Sequence, residues 1–417
     1  MSSLLHRFVG PLRSLFDGPR GETMAVAVAR VISASGSLVV AAASARQLGP
    51  TGRGEIVFVV TVAILCTEVV SLGTNVSGRI EILRGAETKI EDYLGLSFFL
   101  VGVQVVVVTL VLAVLGPAVL GFDLVTCAVG VLLGAAMFIS HMLVDAAFAV
   151  RRTLQTGIKD LSVGLVPMAF VVPIAAAGGL SVELVLALTT GGYALGATYL
   201  WRVVRRCSPK ISFVPSAWLP LLRNGMPVFA GSVGQSIAQR ADRMILGLLS
   251  TSVALGVFSV AATTSELPRL LLLPATQILS NRIAAGDVPV QSLKSFILRL
   301  TVGYAALMVF VAVAGAAIVI PVTGSGFSGI RDLIAPLALG EGLFGVFLIA
   351  TGVLAGLGRF RRLAAPGLTG AAVIVLANLL VIPEHNAIGA AWVRVGGFGV
   401  MALVSLVFVA SALRSPQ

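Results

Sequence analysis

The stretch RVVRRCSPKISFVPSAWLPLLRNG, Arg202 to Gly225, carries five basic side chains, three prolines and no acid in 24 residues. On both sides of it the chain turns lipid-soluble. A helix needs about 20 mostly apolar residues to cross a hydrocarbon layer of ~30 Å. Upstream, runs of that kind fall at 24–44, 55–78, 93–115, 119–148, 158–178 and 181–201. Downstream they fall at 224–249, 253–279, 296–321, 332–357, 364–383 and 387–413. The basic stretch therefore splits the chain into two sets of six. This predicts a cytoplasmic amphipathic segment at 1–23, a six-helix lobe at 24–201, a basic linker at 202–223 and a second six-helix lobe at 224–413. The fold class expected is an all-α polytopic membrane protein of about twelve spans around a central cavity.

Composition agrees. Of 417 residues, 57% are hydrophobic and 11% charged, and the mean hydropathy of +1.03 lies far outside the range of water-soluble domains. The net charge of +11 is dispersed among loops rather than gathered on one face, which argues against nucleic acid. Its distribution instead sets topology. With a cytoplasmic N-terminus, 21 Lys and Arg residues fall inside and three, Arg46, Arg53 and Arg331, fall outside. That bias places both termini in the cytoplasm, as expected in a bacterial inner membrane. A cleavable signal over the first 45 residues, suggested by AAASARQ, is disfavoured because Arg30 interrupts its apolar core and cleavage would spoil the alternation. The three cysteines show neither a disulfide nor a zinc spacing, and no cofactor or metal is called for.

The two halves echo each other. ARQLGPTGRGEIVF (Ala45 to Phe58) joins the first two spans through a glycine-punctuated turn, and ADRMILGLLSTSVALGVFSVA (Ala241 to Ala261) joins the seventh and eighth likewise. Parallel repeats of this kind occur in alternating-access transporters. Extended to ARQLGPTGRGEIVFVVTVAILCTEVVSLG, the first stretch resembles the same region of bacterial polysaccharide (O-antigen type) flippases in the multidrug/oligosaccharidyl-lipid/polysaccharide exporter superfamily. The stretch DRMILGLLSTSVALGVFSVA resembles its counterpart in their second lobe, with Phe258 where that family commonly has tyrosine. The resemblance implies a lipid-linked oligosaccharide carried between leaflets, membrane lipid as surroundings, and glycosyltransferases or a polymerase of the same pathway as candidate partners.

Ionisable residues inside the spans cost about 2.5–3.5 kcal/mol each on insertion scales and so should face a cavity or a partner. They are Arg30, Glu68, Asp145, Arg240, Asp242, Arg243, Glu266, Arg269, Glu341 and Arg394. Guanidinium forks suit a lipid diphosphate because they bind its oxygens through paired, charge-assisted hydrogen bonds. Arg240 and Arg243 share a helix face, and Arg30 sits at similar depth in the other lobe, so these three are expected to grip the headgroup. Arg269 is a further member, and Gln239 is available to a sugar hydroxyl. Glu68, Asp242, Glu266 and Glu341 are candidates for ion coupling or structural pairing. The bland alternatives are an intrahelical Glu266–Arg269 pair, Asp242 neutralising an arginine on a neighbouring helix, and Arg394 and Asp145 reaching the nearby interface. His141 reads as a packed or hydrogen-bonded residue.

None of the four lysines follows a glycine, so there is no phosphate-binding P-loop, and neither HExxH nor GxSxG occurs. Transport is expected rather than catalysis. The alternatives are a drug or cation antiporter, which would want acids in its cavity, and a non-transporting scaffold for glycosyltransferases.

Overall fold

A computed structural model describes residues 19–83, 89–117, 121–208, 210–284, 290–359 and 362–414. Most of the predicted surface segment, residues 1–18, lies outside them. Among the described residues there are twelve α-helices and no strand: α1 (Pro19–Ser71), α2 (Thr74–Leu83), α3 (Ile90–Leu115), α4 (Leu124–Ala149), α5 (Thr153–Ala176), α6 (Val182–Cys207), α7 (Pro215–Leu249), α8 (Ser252–Glu266), α9 (Arg269–Ala284), α10 (Val290–Thr323), α11 (Ile330–Gly356) and α12 (Ala364–Arg414). Eight described helices have stretches long and apolar enough to cross a membrane. The chain is a multi-span membrane protein.

Where helices start and stop follows from local chemistry. Asp123, Ser181 and Thr251 each cap a helix by accepting the backbone N–H three residues on, at 2.8, 3.3 and 3.1 Å. Two helices run on through a sharp break. In α1, Gly49 has φ 68°, open to glycine at little cost, and Pro50 restarts the helix. In α12 the break falls at Asn386, φ 48°, a residue type that tolerates this conformation. The limbs of α12 fold back on each other, since Gly370 faces Met401 and Gly397 faces Ile374. The predicted span 253–279 is in fact two helices: Pro268 supplies no N–H, and α8 ends at Glu266 while α9 begins at Arg269. The run 55–78 likewise breaks, at Leu72 and Gly73. Much of the predicted linker is helical, with α6 reaching Cys207 and α7 starting at Pro215.

Two lobes result. In the first, α1 packs on α5 and α4, and α6 on α4 and α5; in the second, α12 packs on α7 and α11, and α11 on α8, α9 and α10. The lobes meet where α1 lies against α8 and α7, and α2 against α7. At one end of the bundle a Cβ on Gly54 would collide with the Ser252 carbonyl oxygen, and one on Gly256 with that of Pro50. These are the two echoing turns, in backbone contact with each other. At the start of α7, Gly225 and Gly73 pack equally closely, each facing backbone of the opposite lobe. Replacing Gly54 with valine should force the lobes apart at the first contact. With Ser259→Cys as reporter and Cys207→Ser removing the exposed thiol, maleimide labelling should rise about tenfold; an unchanged rate would show that this contact does not close that end.

Candidate functional site

Two polar systems lie side by side, one inside the second lobe and one between the lobes, and they share one arginine. The first is a buried ion network. Arg394, on the second limb of α12, is fully buried and donates to Asp242 of α7 at 3.2 Å, to Glu266 of α8 at 2.7 Å and to Glu341 of α11 at 2.8 Å. Arg243 of α7 donates from Nη2 to Glu266 Oε1 at 2.5 Å. Arg269, at the head of α9, pairs with Glu341 at 3.2 Å and with Glu266 at 3.5 Å, and also donates to the Gln239 carbonyl oxygen. Three guanidinium groups thus meet three carboxylates and tie five helices together. Phe398 and Phe344 pack their ring faces on Arg394 and Arg269, at 5.0 and 4.9 Å to the centroids. The pairs are not saturated, since Glu341 Oε2 and Arg394 Nε are buried without a partner.

The second system is a cavity of about 230 Å³, walled by α1, α4, α5 and α6 and closed by α7 and α8. Among the described residues, Arg53, Arg240 and Arg243 line it, together with six hydroxyl side chains and no carboxylate. Arg240 makes no hydrogen bond to an acid among the described residues; Glu266 and Glu68 act on it only through space. Arg53 Nε and Arg243 Nε are buried with no acceptor. The guanidinium groups of Arg53 and Arg240 line the hollow and make no hydrogen bond among the described residues, so they have donors that can meet an anion with several oxygens.

The structure brings together some of the expected residues and separates others. Arg240 and Arg243 both line the cavity. Arg30 does not join them: it pairs with Asp160 of α5 at 3.2 Å, its side chain is 54% exposed, and it is absent from the cavity wall. Lys159 shares that carboxylate at 3.1 Å. Arg269 belongs to the network, and Gln239 is held by it. Asp242 neutralises an arginine on a neighbouring helix. Glu266 and Arg269 pair across a helix break rather than within a helix. Glu341 is buried in the network, and Glu68 is half-buried on α1. Arg394 is fully buried in the bundle instead of reaching out of it, and Asp145 is buried and held by Arg79 at 2.8 Å. His141 bonds Asn75 at 2.9 Å. The cavity residue missed from sequence is Arg53, counted there as an outer-loop charge. Pro50 was the available signal, since proline at a helix start places residue 53 within the first turn.

A family model described as polysaccharide biosynthesis protein matches residues 22–279, more than half of the chain. The chain belongs to that family. A search of curated proteins found no match. Among solved structures, the lipid II flippase MurJ in an inward closed conformation is similar at TM-score 0.76 and 11% identity, over 93% of this chain and 87% of that one. A multidrug resistance MATE transporter of the MOP superfamily is similar in its inward-facing conformation, at TM-score 0.69 and 14% identity, over 93% and 98% of the two chains. Its family's outward-facing conformation gives TM-score 0.59 at 16% identity, over 96% and 97%. This chain shares the two-lobe fold of these transporters.

The network is expected to dominate the stability of the second lobe. Arg394→Met would leave three buried carboxylates short of a cation and lower unfolding stability in detergent by about 3–5 kcal/mol. Adding Asp242→Asn to that variant should recover part of the loss. Equal stability of Arg394→Met and wild type would show that the network does not hold the lobe.

Proposed function

We propose that this chain is a flippase that carries a polyprenyl-diphosphate-linked oligosaccharide from the inner to the outer leaflet of the bacterial cytoplasmic membrane, for cell-surface polysaccharide biosynthesis, and that it is not an enzyme. The observation that carries the reading is the cavity between the lobes, where Arg53, Arg240 and Arg243 converge without a carboxylate. A diphosphate leaving water needs its oxygens met by donors, and planar guanidinium forks meet them two at a time. The six hydroxyls on the wall suit the first sugar. Membership of a polysaccharide biosynthesis family supports the glycan, and similarity to a lipid II flippase supports a lipid-linked cargo.

The cycle would begin with the headgroup entering between the lobes, its tail left in lipid. A hollow of 230 Å³ is below the roughly 300–1,000 Å³ usual for ligand sites. It suits a diphosphate and not a whole oligosaccharide, so the lobes must part to admit the glycan. Closure at the Gly54 and Gly73 contacts would then alternate, as rigid lobes rock about the site. The two hairpin helices, α7 and the broken pair α8–α9 bring the proposed number of crossings to twelve, with both termini cytoplasmic. The competing reading, export of organic cations, is disfavoured by the absence of an acid from the cavity wall.

In proteoliposomes loaded with a lipid-linked oligosaccharide, Arg240→Ala and Arg53→Ala should each slow translocation about 10- to 100-fold, the equivalent of one lost charged hydrogen bond. Arg30→Ala, outside the cavity, should slow it less. Flipping at the wild-type rate in both cavity variants would refute the assignment.

A further inference from the structure

Arg243 belongs to both polar systems. Its side chain lines the cavity beside Arg240, while its Nη2 donates to Glu266 Oε1. Among the described residues its Nη1 makes no hydrogen bond. A guanidinium carries five N–H donors, so the cavity side of Arg243 has capacity that the network leaves unused.

Glu266 is the most exposed member of the network, although it makes more ion pairs than either of the other two carboxylates. Arg394, Asp242 and Glu341 have side chains no more than 1% exposed, whereas Glu266 is 22% exposed. It is also the last residue of α8. Beyond it, Leu267 N–H reaches the Thr264 oxygen only at 3.4 Å, Pro268 has no N–H to give, and α9 begins at Arg269. Arg269 spans this break back to Glu266 at 3.5 Å. One carboxylate therefore joins the cavity, through Arg243, to the discontinuity between α8 and α9, and α8 is the helix that lies against α1 in the other lobe.

Charge balance gives this arrangement a direction. As it stands the network is neutral, with Arg243, Arg269 and Arg394 against Asp242, Glu266 and Glu341. Should Arg243 turn its charge to an anion in the cavity, the remaining groups would carry one net negative charge in a buried setting, which is strongly unfavourable. Relief must come from the member with water nearby and a weak backbone, and that is Glu266 at the end of α8.

We infer that Glu266 and the anionic headgroup compete for Arg243, so that arrival of the headgroup releases Glu266 and loosens the α8–α9 break at the lobe interface. Arg243 is then a switch that reports cavity occupancy to the helix that must move. The inference rests on the diphosphate reading above and adds to it a route by which binding favours lobe movement, since a ligand shifts a conformational equilibrium only through contacts that differ between its states.

The test uses the full chain in nanodiscs with farnesyl diphosphate as probe and farnesol as the uncharged control. In the wild type, saturating farnesyl diphosphate should raise amide exchange over residues 264–270 about tenfold, with no rise for farnesol. Glu266→Gln, which holds Arg243 less tightly, should bind farnesyl diphosphate about tenfold more tightly and show fast exchange there even without it. Saturable binding in the wild type with no change over residues 264–270 would overturn the switch and leave the headgroup site standing. Absence of saturable binding to the wild type would overturn both. The wild-type exchange experiment decides the matter even where Glu266→Gln does not fold.

Discussion

Arg394 is the side chain on which the second lobe turns. It lies on the last helix, fully buried, and binds one carboxylate from each of three other helices. A cation in such a place is tolerable only with its counter-charges already in position, and those carboxylates are tolerable only with the cation. The four helices are therefore held to one relative arrangement by a requirement stronger than apolar packing. Between helices surrounded by lipid this matters more, because lipid tails are as apolar as the side chains they replace and give packing little net drive. The first lobe has no equivalent among its described residues. Its ion pairs, Arg30 with Asp160 and Arg79 with Asp145, join helices two at a time.

A division of labour follows. Asp242, Glu266 and Glu341 pair with arginines and none of them lines the hollow, which receives arginines and hydroxyls. Separating the signs over so short a distance leaves a cationic chamber beside a neutral core. Arg243 stands on the boundary, lining the hollow while its Nη2 donates to Glu266.

Apolar run length and turn chemistry made the architecture readable from sequence. Runs of about 20 residues mark helices in lipid whatever their neighbours do, and the basic stretch at 202–225 marks the division between lobes. Individual charges were harder. Arg30 and Arg240 have similar depth along their helices, and depth is what sequence gives; the direction a side chain faces depends on how each helix is rotated against its neighbours, and α5 offered Arg30 an acid. Arg394 looked near enough to a span end to reach the interface, but α12 doubles back at Asn386, and the eight residues from there carry the side chain ~12 Å along the helix into the bundle. Glu266 and Arg269 have the spacing of an intrahelical pair, and Pro268 between them turned that spacing into a bridge across a break.

The paired glycine contacts have a further consequence. Gly54 with Ser252, Gly256 with Pro50 and Gly73 with Gly225 bring main chain against main chain at two separate levels of the lobe interface. A protein lodged in an energised membrane that opened a continuous watery path would short-circuit the ion gradients the cell spends its metabolism maintaining. Should the chain work in such a membrane, contacts made of backbone, with no side chain to swing aside, would let an arginine-lined chamber exist there without becoming a pore.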